Sequence, residues 1–339
     1  MQRACLSLHG PAWACMGRHG PDLACARWHS SACVPAAAGR PPQRHGAGRR
    51  PIRTSMEPMS TSSASRIPNV LSIAGVDPSG GAGILADVKA FGALGAFGCA
   101  VVAALTAQNT RAVTGIFAVP PAFVREQIDT LFGDVAIAAA KVGMLGQAPV
   151  IAAVAEALAK WQPPHLVLDP VMIAKSGDAL LEKQAVGALR EALLPLATLL
   201  TPNLPEAGVL LQRRAPDSLK EMRLAAEALR ERMTHAGSRW VYLKGGHLSS
   251  ADSPDLLFDG DRMIELSAPR VATKNTHGTG CTLSAALAAL LPQHADVPSA
   301  ARAAKRYLSA AIAQADRLAV GGGHGPVHHF HALWRGIER

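Results

Sequence analysis

The stretch Asn-Thr-His-Gly-Thr-Gly-Cys, residues 275–281, sets two glycines and a cysteine immediately before the small apolar run 282–290. Gly278 and Gly280 let the backbone curl until successive N–H groups converge, and a helix beginning near residue 280 adds its positive end. Such an anion hole suits the charge that builds on a phosphoryl group in transfer. Cys281 stands at the mouth of that helix, where a thiol loses its proton more readily. A helix cap over an inert cysteine is the rival reading, but a plain cap has no need of both glycines.

Other residue pairs point the same way. Asn203 and Glu206, with Pro205 between them, are hard oxygen donors of the kind that hold Mg²⁺, usually through water. They can equally open a helix, with Pro205 in its first turn and Glu206 favouring its dipole, and both readings can hold together. Lys244 precedes two glycines, which suits the approach of a phosphate, although a lone lysine there is more often solvated. The glycine cluster Asp-Pro-Ser-Gly-Gly-Ala-Gly (77–83) fits neither the dinucleotide nor the Walker pattern. It reads as a tight turn that lets a ligand approach the backbone. Asp87, soon after it, either caps backbone donors or bonds a substrate hydroxyl. His277, four residues before Cys281, raises a Cys/His hydrolase as a rival, but nothing in the sequence orients that histidine as a triad requires. The histidine-rich end, Gly-Pro-Val-His-His-Phe-His (325–331), lacks acidic or cysteine neighbours at ligand spacing and reads as structural.

The elements that must hold these residues alternate. Apolar runs at 69–75, 99–108, 139–145, 165–171, 198–203 and 240–246 read as strands, most of them separated by helical segments such as 83–95 and 122–134. This alternation predicts an α/β fold, a largely parallel sheet with helices on both faces. In such sheets ligands sit beyond the carboxyl ends of the strands. Those ends carry Asp, Asn, Lys and Gly, and six polar strand ends on one edge exceed what turn chemistry asks for.

Composition limits the function classes. Of 339 residues, 49% are hydrophobic and 17% charged, enough for a large core. The net charge of +9 is concentrated in residues 1–66, which hold nine basic residues against two acidic ones, so no nucleic-acid partner is expected of the body. Residues 1–66 also hold four of the six cysteines. A ten-residue repeat there sets Cys5/His9, Cys15/His19 and Cys25/His29 at equal spacing, but no metal-site spacing matches it. The segment reads as a low-complexity, disordered leader or translated upstream sequence, with Met56 or Met59 as the true start. A transit peptide is a third option. Two cysteines in 67–339 fit a reducing compartment, and no apolar stretch of about 18 residues marks a membrane span. The expected location is the cytoplasm.

Taken in order, Ala-Gly-Val-Asp-Pro-Ser-Gly-Gly-Ala-Gly (74–83), Thr-Ala-Gln-Asn-Thr (106–110), Lys-Val-Gly-Met-Leu (141–145), Leu-Asp-Pro-Val-Met (168–172), Thr-Pro-Asn-Leu-Pro-Glu (201–206), Lys-Gly-Gly-His (244–247) and Thr-Lys-Asn-Thr-His-Gly-Thr-Gly-Cys (273–281) resemble the ribokinase-like superfamily. Within it they are similar to the hydroxymethylpyrimidine/phosphomethylpyrimidine kinases of thiamine biosynthesis, from about residue 68 onward. The resemblance implies a three-layer α/β/α kinase domain over 67–339 that uses ATP and Mg²⁺ and forms a homodimer. Its substrate would be a 4-amino-5-hydroxymethyl-2-methylpyrimidine, phosphorylated twice. It further implies Gln108, Asp87, Met144 and Val171 at the pyrimidine, and Asn203 and Glu206 at the metal. Lys244 would serve the nucleotide phosphates, and Thr276, Gly278 and Gly280 the anion hole. Cys281 takes the place where many relatives carry an aspartate base. A pyridoxal/pyridoxine kinase is the nearest alternative. The Cys/His hydrolase and a non-catalytic ligand-binding module are more remote.

Overall fold

The computed structural model describes residues 66–334, apart from Lys183 and Ser250. By its contacts the chain divides into two units, Met1–Ser62 and Ser63–Arg339. The expected leader, except Arg66, lies outside the described residues. The body begins β1 (Asn69–Val76), α1 (Gly83–Ala93), β2 (Phe97–Gln108), β3 (Val113–Ala118), α2 (Pro121–Phe132), β4 (Ile137–Val142), α3 (Ala148–Trp161) and β5 (Leu166–Leu168). There follow a one-turn α4 (Ala185–Ala188), β6 (Leu199–Leu200), α5 (Leu204–Leu211), α6 (Leu219–Glu231) and β7 (Trp240–Leu243). The last elements are β8 (Asp255–Phe258), β9 (Met263–Leu266), α7 (Thr279–Leu290) and α8 (Val297–Ala313).

The strands form one sheet in the order β3-β2-β1-β4-β5-β6-β7-β8-β9. From β2 to β7 neighbours run parallel, so the expected strand ends do share one edge. Three strands extend the sheet antiparallel: β3 beside β2, and β8 and β9 beyond β7. The apolar-run reading passes over β3 because four of its six residues are exposed, so it carries no buried signature.

Side chains on a strand alternate between faces, and here the two faces feed two cores. Leu71, Ile73, Val142 and Leu168 pack with Val124 and Ile128 of α2 and Val150 and Val154 of α3. Val70, Ala139, Val167, Leu199, Trp240 and Tyr242 pack with Phe91 of α1 and with α7 and α8. This is the three-layer α/β/α arrangement. In α7 every residue from Thr282 to Leu290 is buried, as expected of a helix apolar all round.

The alternation carries one further consequence. Two residues beyond Val70, Ala139, Val167, Leu199 and Tyr242, on the same α1/α7 side, stand Ser72, Lys141, Asp169, Thr201 and Lys244. The first four are buried, and together the five replace the apolar core by a polar row just below the sheet edge.

Candidate active site

Two loops meet backbone to backbone above that row. Gly278, the residue before α7, has φ +74°, and a Cβ there would lie 1.8 Å from the Gly81 carbonyl oxygen, so only glycine fits. Asp77 locks the contact from the other side. Its carboxylate accepts the Ser79 and Ala82 N–H groups (2.9 and 3.0 Å), and His277 Nε2 stands 2.7 Å from Oδ2. The sequence offered nothing to orient His277. Its partner lies 200 residues earlier in the chain, which corrects that reading, and the pair clamps the glycine loop to the mouth of α7. Thr276 opens this turn, and its carbonyl accepts the Thr279 N–H at 3.4 Å. The first-turn N–H groups of Gly280 and Cys281 have no intrahelical acceptor and face out of the helix end.

Gly280 brings charge to this mouth. A Cβ on it would lie 3.3 Å from Lys244 Nζ and 3.9 Å from Asp169 Oδ2. Lys244 is not the solvated lysine that its sequence context suggested. Its side chain is 14% exposed, and it donates to Asp169 Oδ1 at 2.9 Å. Asp169 also accepts from Ser284, one turn into α7, at 2.9 Å. Burial raises the Asp169 pKa, but Lys244 and Lys141 outweigh it and hold the carboxyl below its usual range. Asn203 and Glu206 form a capping box on α5. Asn203 Oδ1 accepts the Glu206 N–H (2.8 Å) and Glu206 Oε2 accepts the Asn203 N–H (2.7 Å). Burial pushes the Glu206 carboxyl up to about 7, against the pull of Lys244 at 3.9 Å. Among the described residues no three His, Cys, Asp or Glu gather into a metal cage. That donor set fits Mg²⁺, which commonly takes one or two carboxylates and completes its shell with waters and phosphates.

Asp87 departs from expectation. It caps no helix. It is completely buried and accepts from Lys141 Nζ at 2.8 and 3.1 Å and from the Ser72 hydroxyl at 2.6 Å. Burial opposes the Lys141 charge, yet Asp87 outweighs it and holds the ammonium above its ordinary value. Cys281 is half-buried. The helix mouth does not win there. Burial pushes the thiol up to about 11, Lys141 pulls it down, and Asp87 and Asp169 push it up again.

The remaining expected residues line the same edge. Gln108 ends β2 half-buried, its Oε1 accepting from the Thr106 hydroxyl at 3.1 Å. Met144 is buried, with its sulfur 2.9 Å from where a Cβ on Gly75 would stand, beside the end of β1. Val171 is half-buried and donates its N–H to the Asp169 carbonyl at 2.8 Å. His328 and His329 are buried, and His329 pairs with Thr282 at 3.0 Å, in keeping with a structural role. The sequence reading did not single out Asp77, Ser72, Lys141, Asp169, Thr201 or Ser284. A polar residue in phase with the inward positions of an apolar strand was the available signal for Ser72, Lys141, Asp169 and Thr201.

Residues 77–328 match the family model described as phosphomethylpyrimidine kinase. The chain is 53% identical over 266 residues to the hydroxymethylpyrimidine/phosphomethylpyrimidine kinase of Escherichia coli, covering 78% of this chain and 98% of that protein. It is 48% identical over 261 residues to the thiamine biosynthesis bifunctional protein ThiED of Geobacter sulfurreducens, covering 77% of this chain and 52% of that protein. Among solved structures it resembles the Staphylococcus aureus pyridoxal kinase in complex with AMP-PCP and pyridoxal. The TM-score is 0.71 at 30% identity, over 80% of this chain and 96% of that one.

Proposed function

The chain belongs to the phosphomethylpyrimidine kinase family, and on that premise we propose how its site works. It is an ATP-dependent phosphotransferase of thiamine biosynthesis that phosphorylates 4-amino-5-hydroxymethyl-2-methylpyrimidine and then its monophosphate. The observation that carries the reading is the convergence, at one sheet edge, of the α7 mouth, the Lys244–Asp169 pair and Cys281. The migrating phosphoryl group is held by the N–H groups of Gly280 and Cys281, and Lys244 neutralises the nucleotide phosphates. Thr276, Gly278 and Gly280 shape that hole. The pyrimidine lies against Gln108, Met144 and Val171, its hydroxymethyl group toward Cys281.

A thiolate at Cys281 takes the hydroxyl proton as the oxygen joins the γ-phosphorus and the bond to the β–γ bridging oxygen breaks. A loose transition state asks little basicity of it. Mg²⁺ bound with the nucleotide would spread the phosphate charge, oriented through water by Glu206 and, beside it, Asn203.

A homodimer is supported by the β2–β3 edge. Leu105 and Phe117 are paired across it yet 47% and 67% exposed, a contiguous apolar surface suited to a second copy.

The test is ATP-dependent phosphorylation by the full chain of the aminopyrimidine, its monophosphate and pyridoxal in parallel. Formation of a pyrimidine diphosphate supports the reading. Turnover of pyridoxal alone would replace it by the second reading, which the likeness to the pyridoxal kinase favours.

A further inference from the structure

A second buried ion pair lies beside β7, and it needs a reason, because an apolar pair of equal volume often serves stability as well. Lys305 is buried on α8, whose Ala301, Ala304 and Leu308 belong to the apolar core. It donates to Asp255 Oδ2 at 2.6 Å and to the Ser253 carbonyl at 2.9 Å. The hydroxyl of Tyr242, also buried, donates to the same Asp255 oxygen at 3.0 Å. The other oxygen, Oδ1, accepts the Gly245 N–H at 2.9 Å. Gly245 runs so close to the chain opposite that a Cβ on it would lie 1.8 Å from the Pro254 carbonyl oxygen, so only glycine fits.

What that bond fixes is the residue before it. The Gly245 N–H belongs to the peptide unit that Lys244 begins, and the N–H of Lys244 itself, on the preceding unit, donates to the Pro202 carbonyl at 2.9 Å. Both planar units flanking Lys244 are therefore held, and together they set the direction of its Cα–Cβ bond. From there the ammonium reaches Asp169 Oδ1 at 2.9 Å, at the mouth of α7. Charge adds a second condition. One step past the Leu243–Leu256 pair, Asp255 stands across from Lys244 on the same face of the sheet, where an unengaged carboxylate would compete with Asp169 for that ammonium. Lys305 engages it instead. We propose that Asp255, held and charge-balanced by Lys305, is a positioning residue that fixes the Lys244–Gly245 peptide and keeps the Lys244 ammonium on Asp169, where the nucleotide phosphates arrive. An apolar pair would fill the same space without supplying the acceptor.

This inference rests on the kinase reading for the phosphates, but not for the aim of Lys244. Two double variants of the full chain separate positioning from packing. Asp255→Val/Lys305→Met removes the charges and the acceptor, whereas Asp255→Asn/Lys305→Met removes the charges and keeps an oxygen for the Gly245 N–H. Trace acylation of Lys244 by acetic anhydride, resolved by peptide mass spectrometry, reports its pairing without any ligand, and calorimetry reports the affinity for AMP-PCP with Mg²⁺. In the valine variant Lys244 should be acylated about tenfold faster and AMP-PCP bound about tenfold more weakly, with KM for the pyrimidine within about threefold. The asparagine variant should recover most of both losses. A folded valine variant with wild-type acylation and AMP-PCP affinity overturns the proposal, and so does an asparagine variant impaired as deeply as the valine one. Should the valine variant fail to fold, Lys305→Met alone decides: Asp255 without its partner draws Lys244 off Asp169, so AMP-PCP affinity falls about tenfold, and wild-type affinity overturns the proposal. A wild-type chain that binds no AMP-PCP would sink the kinase reading, while the acylation rates still decide the role of Asp255.

Discussion

Cys281 combines two demands that pull apart. It must lie beside the transferring phosphoryl group, and its burial there pushes its pKa up to about 11. As the proposed base it is accordingly a small thiolate fraction at neutral pH. Replacing it by alanine should lower kcat by about 10² to 10⁴ while the calorimetric affinity for the pyrimidine changes little. Wild-type turnover in that variant would remove the base. A second residue-scale prediction concerns Gly280, whose missing Cβ leaves room for Lys244 Nζ. Gly280→Val should cost on the order of 10² in kcat by crowding both the lysine and the hole, and single-turnover rates would show it.

The expectations for single residues fared unevenly, for a physical reason. Gly278 and Gly280 were legible because only a left-handed turn and a close approach call for glycine at both places. The Lys141 partner of Asp87 was not legible because it comes from a strand 54 residues away, and the His277–Asp77 clamp was missed because 200 residues separate its two members.

At the scale of elements, the parallel strands and their helices could be read from apolar runs, since both faces of the sheet are covered. β3 could not, being exposed on most of its length, nor were the short antiparallel strands β8 and β9 anticipated. The start of α5 shows how one motif serves two scales. Asn203 and Glu206 cap each other's backbone, so Asn203→Ala should destabilise the chain by about 1 kcal/mol. Asn203→Ser, which retains a capping oxygen, should restore most of that loss in thermal melts. If the serine variant is stable but its dependence on Mg²⁺ concentration is altered, the asparagine also serves the metal. Unaltered dependence confines it to the cap.

For the whole molecule, two measurements follow from exposed and buried extremes. Burial pushes the Glu206 carboxyl up to about 7, from an ordinary value of 4.5. A carboxyl raised in this way favours the folded state below its unfolded value, and that contribution is withdrawn as pH climbs through about 7. Compared with the wild type, Glu206→Gln should therefore lose a falling segment of melting temperature between about pH 4.5 and 7, and parallel curves would contradict the assignment. At the far edge of the sheet, Phe117→Glu should shift the proposed dimer toward monomer in light scattering, with the site's own affinity for nucleotide preserved. A wild-type chain that is already monomeric sinks that assembly.

The clamp between Asp77 and His277 joins the first loop of the body to nearly its last helix. During synthesis on the ribosome, the segment carrying Lys244 and every parallel strand emerges before the amide mouth does. A growing chain can therefore gather its sheet while still unable to handle a triphosphate, and chemical competence arrives only with the final stretch. Two fragments cut before residue 270 should be separately silent and become active on mixing, because the last piece supplies the cradle.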